Sequence, residues 1–203
     1  LQLAGARIGG VDFGAPGIAV DTPGFGPLTL SSAGFFQAGP EANALILGAL
    51  EECLCRIAFP GPILEGYAGA GNCTRVMLRH GDVTAVESDP ASCRFFNENM
   101  ELYKSSGGSV RLLPVSMERA VAETSIKART VVLDPPRAGV GADVSAALKA
   151  CMPENVVLIS CDPASGARDG RVWLDAGYRL AHWILIDSMP QTPHMEIVQL
   201  FMR

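Results

Sequence analysis

The segment ILEGYAGAGN, residues 63–72, places a short apolar run directly before a turn that holds three glycines. Glycines at such a turn let the backbone reverse sharply and approach a ligand at the carboxyl edge of a sheet. Glu87 follows the next apolar run, and a carboxylate there can accept hydrogen bonds from both hydroxyls of a ribose. The pattern predicts a nucleoside-containing ligand or, as the alternative, a tight turn between a strand and a helix.

Strand-like and helix-like patterns alternate along the rest of the chain. The predicted strands cover 63–65, 83–87, 110–115, 130–133 and 155–160, and the predicted helices cover 41–57, a segment ending at 79, 90–103, 144–151 and 166–177. This alternation predicts an α/β fold with a mostly parallel sheet covered on both faces. The last two predicted strands, 178–186 and 195–202, are joined by a loop alone, which indicates an antiparallel pair at one edge.

The first part of the chain has a different character. Residues 1–32 are rich in glycine and proline, and the runs 17–20 and 27–30 alternate as short strands do. We therefore predict a small β extension, or the remnant of a preceding domain, at 1–38 and the main domain at 39–203. The chain begins with Leu1 rather than Met, so we expect it to derive from a longer protein.

Composition excludes several classes of protein. The net charge of −5 disfavours a self-sufficient nucleic-acid binder, which needs a basic surface to neutralise phosphates. No apolar run is long enough for a membrane helix, and the first residues lack the features of a signal peptide. The six cysteines include no C-x-x-C pair and favour a reducing cytoplasm, and the three histidines lie far apart, which predicts no metal site.

Three further motifs carry groups that can do chemistry. Asp134 begins DPPR (134–137) after a predicted central strand, where two prolines would hold its carboxylate rigidly, although a proline-stiffened capping loop is the alternative. Cys161 lies in SCDPAS after the next strand and is a candidate nucleophile or a simple buried side chain; Asp162 beside it disfavours the thiolate, so activation needs another group. Glu196 follows QTPHM, where a single carboxylate is usually solvated.

In this order, DPPR, SCxPxSxxRD and PQTPHxE resemble the RNA uracil-5 methyltransferases, the TrmA-like group that makes 5-methyluridine. The pair Phe36-Gln37 before the first long helix fits as well, and the resemblance covers about 25–203. It implies a class I S-adenosylmethionine-dependent methyltransferase fold, which is Rossmann-like with a seven-stranded, mostly parallel sheet. It also implies S-adenosyl-L-methionine as cofactor and RNA, either tRNA or rRNA, as partner.

The resemblance also assigns roles to particular residues. Cys161 matches the nucleophile that adds to carbon 6 of the uracil, Glu196 matches the general base, and Asp134 matches a residue that lines the methyl-transfer site. The positions implied to hold the cofactor are Gln37, Tyr67, Gly69, Asn72, Glu87, Ser116 and Asp134. Phe35 or Phe36 would stack on the flipped-out base. Family members carry an N-terminal RNA-binding domain, so we expect that domain to be missing here, and we expect a cytoplasmic monomer.

Three alternatives stay open from the sequence. A methyltransferase acting on a base nitrogen would need no nucleophile at Cys161. A nicotinamide-dependent dehydrogenase is disfavoured because Thr74 stands where its third glycine belongs and because the chain ends on two strands. A non-catalytic RNA-associated relic domain is favoured only by Asp162 and the acidic charge.

Overall fold

The computed structural model describes residues 5–8, 11–14, 17–31, 37, 39–123, 127–192 and 194–203. Its strands are β1 (Gly5–Ile8), β2 (Val11–Gly14), β3 (Gly17–Thr22), β4 (Gly26–Ser31), β5 (Ile63–Gly66), β6 (Val83–Val86), β7 (Val110–Leu113), β8 (Thr130–Leu133), β9 (Asn155–Ser160), β10 (Arg179–Ile186) and β11 (Glu196–Met202). Its helices are α1 (Pro40–Cys55), α2 (Thr74–Met77), α3 (Pro90–Leu102), α4 (Met117–Glu123), α5 (Ala142–Ala150) and α6 (Pro163–Asp175). None of these helices has the length and apolar character needed to cross a bilayer.

Seven strands form one sheet in the order β10-β11-β9-β8-β5-β6-β7. The five strands from β9 to β7 run parallel, and β11 is inserted antiparallel between β9 and β10. This arrangement confirms the predicted α/β class, the mostly parallel sheet and the terminal antiparallel pair. The strand order changes direction at β5 and β8, and ligands of open α/β sheets bind outside the carboxyl ends of the strands at such a point.

The central strand β9 shows why its sequence is apolar without alternation. Val157 and Ile159 pack into a core with α1, whereas Val156 and Leu158 pack on the other face with Trp173 of α6. Both faces are therefore covered, and all six residues of the strand are buried. Burying one such side chain contributes roughly 1.5–3 kcal/mol, so this strand anchors the loop that follows it.

The hairpin of β3 and β4 is fastened to the main sheet domain by buried polar groups. The guanidinium of Arg75 is 1% exposed and donates to the carbonyl of Gly26 at 2.6 Å and to the hydroxyl of Thr22 at 3.0 Å. The side-chain amide of Asn99 accepts from the backbone N–H of Thr29 and donates to its carbonyl, each at 2.8 Å. The segment 1–38, predicted as a β extension, thus includes the β3–β4 hairpin, which is hydrogen-bonded to the main domain.

Two elements differ from the sequence prediction. The helix expected to end at 79 is only Thr74–Met77, because the glycine-rich turn before it and the turns at 78–80 take up the rest of the segment. The helix α4 was not predicted, since Met117–Glu123 is short and buries only Met117 and Ala120. Other boundaries differ by a few residues at most.

Candidate active site

The carboxyl ends of the parallel strands open into one cavity of about 600 Å³. Its lining residues come from the loops after β5, β6, β8 and β9, from the segment before β11 and from the end of β4. It gathers most of the sequence-predicted site residues: Gln37, Tyr67, Gly69, Asn72, Glu87, Asp134, Cys161 and Glu196. These side chains come from distant parts of the chain, and the parallel sheet is what brings them to one edge.

The glycine-rich loop and Glu87 form one wall of the cavity. The backbone N–H of Gly69 donates to Oε2 of Glu87 at 2.8 Å, and the N–H groups of Ser88 and Asp89 donate to Oε1 at 2.7 Å each. Gly69 has a φ of +56°, and open space lies where a Cβ would be. The carboxylate is therefore held in a fixed orientation at the end of β6, with acceptor capacity left for a ligand.

Gln37 and Asn72 also line the cavity but are held differently. The side-chain amide of Gln37 is buried and donates to Oδ2 of Asp134 at 3.4 Å. The amide of Asn72 is paired reciprocally with that of Asn43, at 2.7 and 3.0 Å, and also accepts from Arg75 at 2.8 Å. Asn72 thus links the cavity wall to the buried contacts that hold the β3–β4 hairpin.

Three side chains hydrogen-bond the backbone of loop 134–141, which begins with Asp134. The carboxylate of Asp169 accepts from the backbone N–H of Val140 at 2.9 Å, and Arg168 donates to the carbonyl of Ala138 at 2.8 Å. The hydroxyl of Tyr67 donates to the carbonyl of Val140 at 3.3 Å. Arg168 and Asp169, which end the motif SCxPxSxxRD, therefore have a structural role: they hold loop 134–141 in place beside the cavity.

Arg137 is a site residue that the sequence prediction missed. Its guanidinium lies close enough to the thiol of Cys161 and to the carboxyl of Glu196 to lower the pKa of both groups. The sequence singled out the motif that contains Arg137 but not its contact. The adjacency of β8 and β9 was the signal that could have placed the two loops together.

The pKa of Cys161 reflects opposing influences. Partial burial is the largest influence and raises the pKa above that of an ordinary cysteine; the charges of Glu196 and Asp134 raise it further, whereas the nearby Arg137 lowers it. Arg137 is therefore the neighbour that stabilises the thiolate, and its proximity was not evident in the sequence.

Asp162 does not face the thiol as an isolated charge. It is the N-cap of α6, and its carboxylate accepts from the backbone N–H groups of Ser165 at 2.9 Å and Ala164 at 3.4 Å. These bonds lower the pKa of Asp162 and use its charge at the helix terminus. The sequence argument that Asp162 disfavours the thiolate thus loses its main support.

Glu196 lies opposite Cys161 because of the strand register. Ile197 pairs with Ser160 in the antiparallel β11–β9 ladder, so the preceding residue of β11 falls beside the residue that follows β9. Glu196 is 6% exposed, and burial raises its pKa to about 7. Burial, and then the charge of Glu196, raise the pKa of Asp134 to about 7 as well. Such carboxyls can exchange protons near neutral pH.

One sequence-predicted residue does not line the cavity, and two others lie outside the described residues. The first is Ser116, whose hydroxyl accepts from the backbone N–H of Arg119 at 3.3 Å at the start of α4. Its role as an adenine contact stays a prediction. Phe35 and Phe36, the predicted stacking residues, lie outside the described residues.

Comparison with known proteins finds a matching family model and related methyltransferases. The family model for tRNA (uracil-5-)-methyltransferase matches residues 109–203. The chain is 31% identical over 165 residues to the 23S rRNA (uracil(747)-C(5))-methyltransferase of Pyrococcus abyssi, covering 81% of this chain and 38% of that protein. It is 33% identical over 176 residues to the 23S rRNA (uracil(1939)-C(5))-methyltransferase RlmD of Shewanella sp. (strain ANA-3), covering 86% of this chain and 38% of that protein.

The fold comparison agrees. The crystal structure of Pyrococcus abyssi tRNA (uracil-54, C5)-methyltransferase in complex with S-adenosyl-L-homocysteine matches with a TM-score of 0.75 and 24% identity, covering 94% of this chain and 45% of that chain. The present chain spans about two fifths of the length of the curated relatives named above. It has the class I methyltransferase fold, and it belongs to the tRNA (uracil-5-)-methyltransferase family.

Proposed function

We propose that this domain transfers a methyl group from S-adenosyl-L-methionine to carbon 5 of a uracil in RNA, through a covalent adduct between Cys161 and carbon 6. The supporting observation is that Cys161 and Glu196 face one cavity together with Asp134 and the Glu87 wall. A nucleophile and a base facing the same ligand space are what this reaction requires. The named relatives act on uracil in 23S rRNA, which supports the same class of substrate here.

The cavity residues fit the proposed cofactor. The carboxylate of Glu87 accepts three backbone N–H groups and keeps one acceptor position, on Oε2, for a ribose hydroxyl, and Gly69 leaves open space where a side chain would obstruct a ligand. We assign Gln37, Tyr67 and Asn72 to the same binding surface because they line it. When bound, S-adenosyl-L-methionine supplies a methyl group on a positively charged sulfur, and Asp134 is the half-buried carboxyl of the cavity available to face that charge.

The protein groups then divide the reaction into steps. The thiolate of Cys161 forms a bond to carbon 6, which turns the ring into an enolate and makes carbon 5 nucleophilic. A cofactor held beside Glu87 and Asp134 would supply the methyl group to carbon 5, and its sulfur would keep the electron pair of the broken bond. The carboxylate of Glu196 removes the carbon 5 proton, the bond to carbon 6 breaks, and the thiolate returns to Cys161. Arg137 stabilises that thiolate before attack and after release.

The acidic character of the chain bears on how RNA is held. With a net charge of −5, this chain offers few groups that neutralise phosphates, so we propose that most RNA contacts lie in parts of the protein outside it. We propose that residues 1–38 are the β extension and 39–203 the catalytic domain, acting as a cytoplasmic monomer. The target base must leave its stack to reach Cys161.

Covalent trapping tests this proposal. The purified chain would be incubated with S-adenosyl-L-methionine and a high concentration of RNA that contains 5-fluorouridine. Fluorine at carbon 5 cannot be removed as a proton, so the adduct accumulates and is resolved by denaturing electrophoresis. We expect an adduct that requires the cofactor, that is lost in Cys161→Ala and that is retained in Cys151→Ala, a matched change at an exposed cysteine.

Calorimetric titration of S-adenosyl-L-methionine separates the alternatives. Cofactor binding that weakens in Glu87→Ala, together with methylation of unmodified RNA that survives Cys161→Ala, would favour a base-nitrogen target. Folded protein that binds no cofactor would favour a relic domain. Binding of NAD in place of S-adenosyl-L-methionine would favour a dehydrogenase.

A further inference from the structure

Three side chains that can bind metals converge on the surface of α1, apart from the cavity. Glu51 and Cys55 lie one helical turn apart on α1, and His80 lies in the turns that follow α2. One ligand atom from each lies within 4.8 Å of the others. None of the three lines the cavity described above.

Two buried polar atoms of this cluster have no hydrogen-bond partner among the described residues. Nε2 of His80 lies 3.1 Å from Oε1 of Glu51, yet the contact lacks hydrogen-bond geometry. Within the described part of the chain, His80 Nε2 and Glu51 Oε2 are both buried atoms without a hydrogen-bond partner. Buried polar atoms are rarely left in this state, and an ion that they coordinate is one way to satisfy them.

We propose that Glu51, Cys55 and His80 form a binding site for a thiophilic divalent cation of the zinc class. Thiolate, imidazole and carboxylate are the three ligand types that Zn²⁺ takes in proteins, and a thiolate disfavours Mg²⁺ and Ca²⁺. Bonds of about 2.0–2.3 Å in a tetrahedron place ligand atoms roughly 3.5 Å apart. Small side-chain rotations therefore close the cluster around an ion, and Cys55 loses its thiol proton to solvent on binding.

The backbone around the cluster is already fixed. The N–H of His80 donates to the carbonyl of Met77 at 2.8 Å, and the N–H of Gly108 donates to the carbonyl of Leu78 at 2.8 Å. A Cβ on Gly81 would lie 2.9 Å from the Cα of Gly61, so the turn after His80 packs directly against another backbone segment. A site on rigid elements needs little reorganisation to bind.

The exposure of Cys55 gives the site an open side. The thiol is exposed, whereas Glu51 and His80 are partly buried, so an ion can enter from solvent and keep a water molecule as its fourth ligand. Bound metal would join the C-terminal turn of α1 to the turn between α2 and β6. Its expected consequence is stabilisation of the folded chain.

Cobalt titration tests the site with a probe that reports its ligands. The chain, purified without a polyhistidine tag and freed of metal by a chelator, would be titrated with Co²⁺ while its absorption is recorded. We expect one equivalent to bind, with a thiolate-to-cobalt band and visible bands of tetrahedral intensity, and Zn²⁺ to displace it. At about a hundredfold excess over its Kd, Zn²⁺ should raise the unfolding midpoint by about 5–10 °C.

Matched variants assign the ligands. Cys55→Ser should abolish the thiolate band, and His80→Gln should weaken binding at least tenfold, with circular dichroism confirming that each variant is folded. Cys151→Ser, at the other exposed cysteine of the chain, should change nothing. Absence of saturable binding, or binding that is lost in Cys151→Ser and kept in Cys55→Ser, overturns the proposal. Titration of S-adenosyl-L-methionine should be unaffected by these variants, because the cluster shares no residue with the cavity.

Discussion

The guanidinium of Arg137 lies close enough to Cys161 to lower the pKa of its thiol, so the loop after β8 brings a positive charge to the side chain that follows β9. Both burial and the neighbouring Glu196 raise the pKa of the thiol, and Arg137 is the side chain that opposes them most strongly. The proximity of Arg137 therefore increases the thiolate fraction of Cys161 at neutral pH, against the larger effect of burial.

Replacing Arg137 should make Cys161 less reactive. In Arg137→Ala we expect the pKa of the thiol to rise further and its alkylation by iodoacetamide at pH 7 to slow severalfold. The alkylation rate of Arg137→Lys should lie between the rates of the unchanged protein and of Arg137→Ala, because lysine keeps the charge but lacks the planar guanidinium. Mass spectrometry of the Cys161 peptide measures the rate separately from the exposed cysteines. An unchanged rate in Arg137→Ala, with Arg179→Ala as control, would contradict this role.

The resolution of the covalent adduct should depend on pH through Glu196. Burial raises the pKa of Glu196 to about 7, so the group is protonated below that pH and is a base above it. The rate of adduct resolution should therefore rise with pH through about 7, with some coupling to Asp134. Single-turnover assays on unmodified RNA measure this step, and Glu196→Gln should slow it by about 10²–10⁴ while the adduct still forms. A pH-independent resolution rate would remove Glu196 from that role.

Asp169 should stabilise the protein through the loop that carries Asp134. Its carboxylate is 7% exposed and accepts from the N–H of Val140, so Asp169→Ala leaves that donor without its partner. We expect the free energy of unfolding, measured with urea, to fall by about 1–3 kcal/mol. The matched control is Asp175→Ala on the same helix, where an exposed ion pair with Arg171 contributes less than about 1 kcal/mol. Equal losses of unfolding free energy in Asp169→Ala and Asp175→Ala would argue against a stabilising role of the hydrogen bond between Asp169 and Val140.

Arg75 should hold the β3–β4 hairpin to the main domain. Arg75→Met keeps most of the volume but removes donors to Gly26, Thr22 and Asn72, and we expect a loss of about 3–5 kcal/mol in the free energy of unfolding. Hydrogen exchange should show the amides of residues 17–31 losing protection. Arg94→Met, which removes an exposed pair with Glu98, should have an effect below about 1 kcal/mol. If the amides of residues 17–31 stay protected in Arg75→Met, contacts other than those of Arg75 hold the hairpin to the main domain.

Much of the fold could be predicted because its signals are local. The apolar runs that became β8 and β9, the glycine-rich turn at 66–71 and the final strand pair each follow from side chains adjacent in sequence. Helix α4 gave no such signal, because a short helix with two buried residues has no clear period. The candidate site was predicted to the extent that polar residues directly follow predicted strands, since the carboxyl ends of parallel strands share one edge.

The sequence by itself determined the sheet, its covered faces and the set of loops that meet at its carboxyl edge, because hydrophobic periodicity and turn residues act over short stretches of chain. Only the tertiary structure decided the direction of individual side chains. It turns Asp162 toward the start of α6, Ser116 toward α4 and Arg137 toward Cys161. It also brings His80 to Glu51 and Cys55, which no spacing along the chain indicates. The physical reason is that capping, loop conformation and packing between distant segments set these directions, and all three exist only in the folded protein.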